Sequence, residues 1–302
     1  MKKKRLAIQF FGHLRTFKNT YLSFLENVLK TNKNYEIDIF IHTWDEIEYQ
    51  EPTWHNTLAS EIRGAKLNRE DFSFIEEKYK PKKIKVTKQL SVEKEEEFIQ
   101  FTSDKAKFSN IFNMFYSKYE VNNLRLEYEK ENKVKYDFVL YTRGDVFFKN
   151  KFYLDEILKI YENELKSFEN FENKLFFSGC YRDLAVKEEK LIAASDIFYF
   201  AQPEVINKVA NFYLELEKDR TTGVLRDNFL SWEYYLLFKI KQKNIKPIQI
   251  KYGMNDWFLL RFNDLKKCKK EKKKLFSLRI RKNFIRLILF SSFIKLEWGR
   301  NL

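Results

Sequence analysis

The sequence predicts an α/β fold with a sheet flanked by helices. Three observations carry that expectation. Short apolar, β-rich runs alternate with helix-period stretches through the first 265 residues. Several of those runs stop abruptly at polar clusters, which is where an open α/β sheet presents its ligand site. The 302 residues, 44% hydrophobic and 18% aromatic, are also enough to fill a substantial core.

Residues 6–11 read as a first strand, and Gly12-His13-Leu14-Arg15 leads into an amphipathic helix with Phe17, Tyr21, Phe24, Leu25, Val28 and Leu29 on one face. A glycine between strand and helix offers N–H groups and a positive helix end to a phosphate, with His13 and Arg15 as further donors. The plainer use is a turn at Gly12 and a solvated Arg15. Residues 36–44 alternate, with Ile37, Ile39 and Ile41 on one side, and end in His42-Thr43-Trp44-Asp45. Trp44 offers a ring to a base or sugar and Asp45 an acceptor to hydroxyls. Equally, Trp44 suits the core and Asp45 an N-cap. His42 reads as an interior histidine, because no second His or Cys stands at ligand spacing.

Residues 82–88 form a third strand, and the charged run 92–97 a loop or helix start. A long helix over 104–131, capped by Ser103 or Asp104, buries Phe108, Ile111, Phe112, Phe115, Tyr119 and Leu126. Asn110, Asn113 and Tyr116 gather on its first half, facing either a cleft or solvent. Then comes the run 136–148, a buried strand interrupted by Thr142-Arg143-Gly144-Asp145. A carboxylate, a guanidinium and a glycine at a strand's carboxyl end suggest an anionic ligand or its metal, with Asp145 at the centre. The plain reading is an Arg143–Asp145 surface pair, with Gly144 at a positive φ.

Helix 154–171, strand 174–179, a polar loop over 180–194 and strand 195–201 continue the alternation. Arg182, Asp183 and Asp196 are candidate substrate contacts, and Asp196 also suits an anchor for its strand. Helix 228–243 is apolar almost all round, so Glu233 inside it is either an acid/base group with a raised pKa or half of a buried ion pair. A short strand over 247–250 precedes Asn255, Asp256, Trp257 and Arg261, a returning segment able to close the cleft.

These motifs resemble those of bacterial GT-A-type glycosyltransferases of capsule and lipopolysaccharide synthesis. The residues concerned are Phe11 to Arg15, Phe40 to Asp45, Phe138 to Asp145, Ser195 to Phe198, and Trp232-Glu233. The resemblance implies a GT-A-like (Rossmann-like), mixed and mostly parallel sheet over 1–265. It implies a nucleotide-sugar donor held by Gly12, His13, Arg15, Thr43, Trp44, Asp45, Asn113, Arg143 and Asp145. Asp145 would hold Mn²⁺ or Mg²⁺ on the diphosphate, and Glu233 or Asp196 would serve as base. The acceptor would be a growing, lipid-linked glycan. Position 143 is Arg where the pattern has a second Asp, so Arg143 is an alternative to the metal in neutralising the diphosphate.

The net charge of +14 and pI of 9.4 imply affinity for polyanions or anionic lipid. Positive charge concentrates in residues 266–302, where Lys266 to Lys274 precede a run interleaving apolar and basic residues, as in an interfacial helix. That segment is expected to hold the chain on the inner membrane face. No recognised nucleic-acid module is present, and no P-loop, dinucleotide fingerprint or Ser-His-Asp spacing. Two distant cysteines argue against a disulfide framework, and no run approaches the ~20 apolar residues of a membrane span, so a cytoplasmic location is expected. The rival functions are transfer of a phosphate-linked group to the same polysaccharide and non-catalytic binding of polyanions or membranes.

Overall fold

The computed structural model describes residues 3–51, 56–99, 105–164, 171–179, 186–187, 190–191, 194–227 and 232–265. Ser103, Asp104, Arg182, Asp183 and the basic segment 266–302 lie outside the described residues.

The elements in order are β1 (Arg5–Phe10), α1 (Phe17–Phe24, continued by a π-turn over Leu25–Leu29), β2 (Glu36–Trp44), a 3₁₀ turn (Ser60–Ile62), α2 (Arg69–Phe74, continued over Ile75–Tyr79), and β3 (Lys83–Thr87). The antiparallel pair β4 (Glu97–Ile99) and β5 (Lys105–Lys107) precedes α3 (Phe108–Asn132), β6 (Phe138–Thr142), β7 (Val146–Phe148), α4 (Leu154–Glu164) and β8 (Lys174–Ser178). A second small pair, β9 (Val186–Lys187) and β10 (Lys190–Leu191), is followed by β11 (Tyr199–Ala201), α5 (Pro203–Ala210), α6 (Phe212–Thr221), α7 (Val224–Asp227), α8 (Trp232–Gln242), β12 (Lys246–Ile250) and β13 (Trp257–Leu259).

Seven strands make the main sheet in the order β12-β8-β11-β6-β1-β2-β3. β1, β2, β3 and β6 run parallel, as do β8 and β12, while β11 is antiparallel to both its neighbours. The two-residue period of the strands divides the core between two faces. Ala7, Phe40, Val139, Tyr141 and Phe177 pack under α3, α5, α6 and α8. Leu6, Ile8, Phe10, Ile41, Leu140 and Phe176 pack on the other side, against α1, α2 and α4. A sheet covered on both faces needs the near-continuous apolar strands seen in β1 and β6.

Four differences from the sequence expectation matter for the site. The run 136–148 is two strands: β6 stops at Thr142, and β7 leaves the main sheet to pair antiparallel with β13. Gly144 between them has no positive φ. A Cβ there would stand 2.8 Å from the Leu14 carbonyl oxygen, so close backbone approach is what requires glycine. The strand expected over 195–201 forms only at Tyr199–Ala201, leaving Ser195 and Asp196 in the irregular segment before it. The long helix starts at Phe108 and buries Phe108, Ile111 and Phe115 as expected, but Leu126 is exposed, while Asn113, Ser117 and Lys118 are buried.

The run 92–97 makes no helix and ends at β4. Among the described residues, no helix is long and apolar enough to cross a membrane.

Candidate functional site

β1 lies between β2 and β6, so the segments following these three parallel strands emerge side by side. Because β11 runs the opposite way, the residues leading into it reach the same edge. β13 adds a fifth approach: Leu260 N–H donates to the Asp145 carbonyl at 2.8 Å, and the Thr16 hydroxyl donates to the Leu260 carbonyl at 2.6 Å. That brings Arg261 back to the first loop.

Asp145 is wholly buried at this meeting point, bonded to three arginines. Arg143 grips it as a fork, Nε to Oδ1 at 3.0 Å and Nη2 to Oδ2 at 2.9 Å. Arg15 Nη1 donates to Oδ2 at 3.3 Å, and Arg261 Nη1 donates to the same oxygen. Arg15 adopts a left-handed φ of 51°, and its Nε donates to both oxygens of Glu48 at 2.9 Å. Burial opposes the Arg15 charge, but the Glu48 and Asp145 carboxylates more than offset it. Among the described residues, the guanidiniums of Arg15, Arg143 and Arg261 gather on the carboxylates of Asp145 and Glu48.

This donor set does not suit the divalent cation expected on Asp145. Both carboxylate oxygens already accept guanidinium hydrogen bonds. A doubly charged ion 4 Å from a guanidinium meets repulsion on the order of 8 kcal/mol at an effective dielectric of ~20. Nor do the described residues group three or more His, Cys, Asp or Glu side chains able to hold a metal ion. What the cluster suits is an anion.

The other candidates are placed as follows. Gly12, at a φ of +79°, donates its N–H to Ser117 Oγ at 2.7 Å, and Ser117 Oγ pairs with His42 Nδ1 at 2.7 Å. His42 Nε2 meets the Thr87 hydroxyl at 3.1 Å, so it is the interior histidine expected. His13 is buried: Gln89 donates to its Nε2 at 2.6 Å, which puts the proton on Nδ1, 3.1 Å from the Glu46 carbonyl. Thr43 is buried with its hydroxyl on the Trp44 carbonyl, and Trp44 is a core residue stacked on Tyr116 at 6.0 Å. Asp45 caps no helix. Its N–H donates to the Thr87 carbonyl, and Lys66 clasps its carboxylate together with that of Glu46, each at 3.0 Å. Asn113 uses its amide on Leu90 N, Leu90 O and Ser109 O, pinning the segment after β3 to α3. Of the expected donor contacts, then, Arg15, Arg143 and Asp145 come together, Gly12 and His13 brace the loop between them, and Thr43, Trp44, Asp45 and Asn113 are engaged elsewhere.

The two candidate bases lie toward a buried lysine. Lys118 of α3 donates to the Asp196 backbone carbonyl at 2.9 Å, with its ammonium over the rings of Phe11, Tyr199 and Phe115 at 4.7, 5.2 and 5.6 Å. Burial pulls its pKa down to about 8, against the opposing pull of Asp196 and Glu233. Asp196 is itself buried, and desolvation raises its carboxyl pKa although Lys118 and Arg261 draw it down. Glu233 stands in the first turn of α8, half-buried where full burial was expected, and its carbonyl accepts the Ala194 N–H at 2.9 Å.

His13 and His42 give the fold an acid-sensitive edge. Burial, then the charge of Arg15, pulls His13 down to about 4, and burial, then Lys85, pulls His42 down to about 3. Above the unfolded value of ~6.5 neither binds a proton in either state, so their stability contribution is complete. As pH falls below that value only the unfolded chain takes up protons, and His13 alone should cost roughly 3 kcal/mol by pH ~4. Urea midpoints measured from pH 7 to 5 should fall, and less steeply for His42→Gln. An equal slope in the variant would contradict this.

Glu48, Lys118 and Arg261 complete the site; Arg261 comes from the returning segment expected to close the cleft, whereas the sequence assigns no role there to Glu48 or Lys118. Lys118 left a readable trace, since it follows Phe108, Ile111 and Phe115 on the apolar stripe of α3. Glu48 left none, because its partner Arg15 is 33 positions away, and the bond of Arg261 to Asp145 spans 116 positions. No family model matches the chain, and no curated protein matches it at a significant level.

Proposed function

We propose that this chain is a nucleotide-sugar-dependent glycosyltransferase built on a GT-A-like sheet. The observation that carries the reading is a cluster of three arginines at the carboxyl ends of β1 and β6, beside a buried carboxylate with a raised pKa brought to the same edge by the reversed β11. The mixed, mostly parallel sheet is compatible with it. In the reaction, Asp196 takes the proton of an acceptor hydroxyl, with Glu233 as the alternative base. The acceptor oxygen bonds to the anomeric carbon as the bond from that carbon to the phosphate oxygen breaks. The departing phosphate keeps the electron pair and is stabilised by Arg143 and Arg15. No step runs through a metal.

The acceptor in this reading is a capsule or lipopolysaccharide glycan carried on lipid. A cytoplasmic chain held by the basic segment 266–302 against the inner membrane face would reach it. Full-length protein should float with anionic vesicles at low salt, and failure to do so removes the membrane part of the proposal.

A thermal-shift panel of UDP, GDP, CMP and their sugars, with and without Mn²⁺, tests the reading, since a ligand of the folded state raises its melting temperature. One nucleotide and its sugar should shift the transition. No shift with any, together with a shift by an unrelated polyanion, would favour the non-catalytic alternative.

A further inference from the structure

Resting on the glycosyltransferase reading, we infer that this site takes up the donor's phosphate on guanidinium groups and needs no divalent cation to do so. Asp145 has no exposed area, whereas the side chains of Arg143 and Arg15 keep 15% and 12% of theirs. A group arriving at the strand ends therefore meets guanidinium before carboxylate. Arg143 uses Nε and Nη2 on Asp145, so its Nη1 makes no hydrogen bond among the described residues. Arg15 uses Nε on Glu48 and Nη1 on Asp145, which leaves Nη2 in the same condition.

The carboxylates have a different task in this arrangement. Asp145 and Glu48 hold the guanidiniums of Arg143 and Arg15 in fixed planes from three separate segments, which pre-organises their remaining N–H groups for a phosphate. Arg143 occupies the position where the resembled pattern has a second metal-binding Asp. The substitution replaces a cation-holding group by a cation, so the charge that a metal would bring is already part of the chain.

Calorimetric titration of the full-length chain with UDP, GDP, CMP and inorganic pyrophosphate, in EDTA and then in Mn²⁺, tests the inference. At least one of these should bind in EDTA, with a Kd within about threefold of its value in Mn²⁺. Arg143→Gln should weaken that binding at least about tenfold, the usual scale for losing a hydrogen bond to a charged group. If the glutamine variant does not fold, Arg143→Lys decides, since it keeps the charge but loses the planar fork and should still bind more weakly. Binding that appears only with Mn²⁺ would overturn the inference and leave the glycosyltransferase reading standing. Wild-type affinity in both Arg143 variants would also overturn it. Failure of all four probes in both conditions would overturn the inference and the reading together.

Discussion

Replacing Asp145 by alanine is expected to cost roughly 3–5 kcal/mol of folding stability, the scale for removing one partner from a buried ionic cluster. The carboxylate joins Arg15, Arg143 and Arg261, delivered from the segments after β1, β6 and β13. Without it the three guanidiniums lose the carboxylate they share, while Arg15 keeps its pair with Glu48. Asp145→Asn should be milder, because the amide oxygen still accepts. Urea denaturation of both variants in EDTA is the measurement. A residue whose task is to hold a metal predicts the contrary result, little change in stability when no metal is supplied.

Asp196→Asn should lower kcat at least about 10²-fold while sparing donor affinity, since general-base catalysis contributes 10²–10⁴-fold and acts only in the transition state. Burial holds the Asp196 carboxyl above the ordinary carboxylate range, so wild-type turnover should rise with pH through that raised value. Glu233→Gln separates the two candidates. If Glu233 is the base, its variant loses turnover and retains the fold, whereas a structural Glu233 gives a comparable loss of stability with residual turnover unchanged per folded molecule.

What the sequence disclosed follows the range of the interactions involved. Strand β2 was legible to the residue, because alternation of Ile37, Ile39 and Ile41 is local. Arg143 beside Asp145 was legible for the same reason. The purpose of Gly144 was not, because the atom that requires it is the Leu14 carbonyl, far off in sequence. Trp44, Asp45 and Asn113 looked like ligand contacts because polar or aromatic groups near strand ends can serve either use. Their actual partners, Tyr116, Lys66 and Leu90, come from elements whose packing no local pattern encodes. Helix α2 and helix α5 carry local signals of their own: the Asn68 and Asp71 capping box, and Pro203 in the first turn followed by Glu204. Full burial of Glu233 was inferred from an apolar run whose first part, 228–231, lies outside the described residues.

If this site breaks the bond between a sugar and a nucleotide, donor consumption will show it. Full-length protein incubated with a panel of UDP-, GDP- and CMP-sugars, without acceptor, should slowly release the nucleotide from one of them, as water takes the acceptor's place. Release should fall at least about 10²-fold in Asp196→Asn if that carboxylate is the base. A chain that binds nucleotides or polyanions yet consumes no donor, with lipid-linked glycan supplied or withheld, would contradict the account.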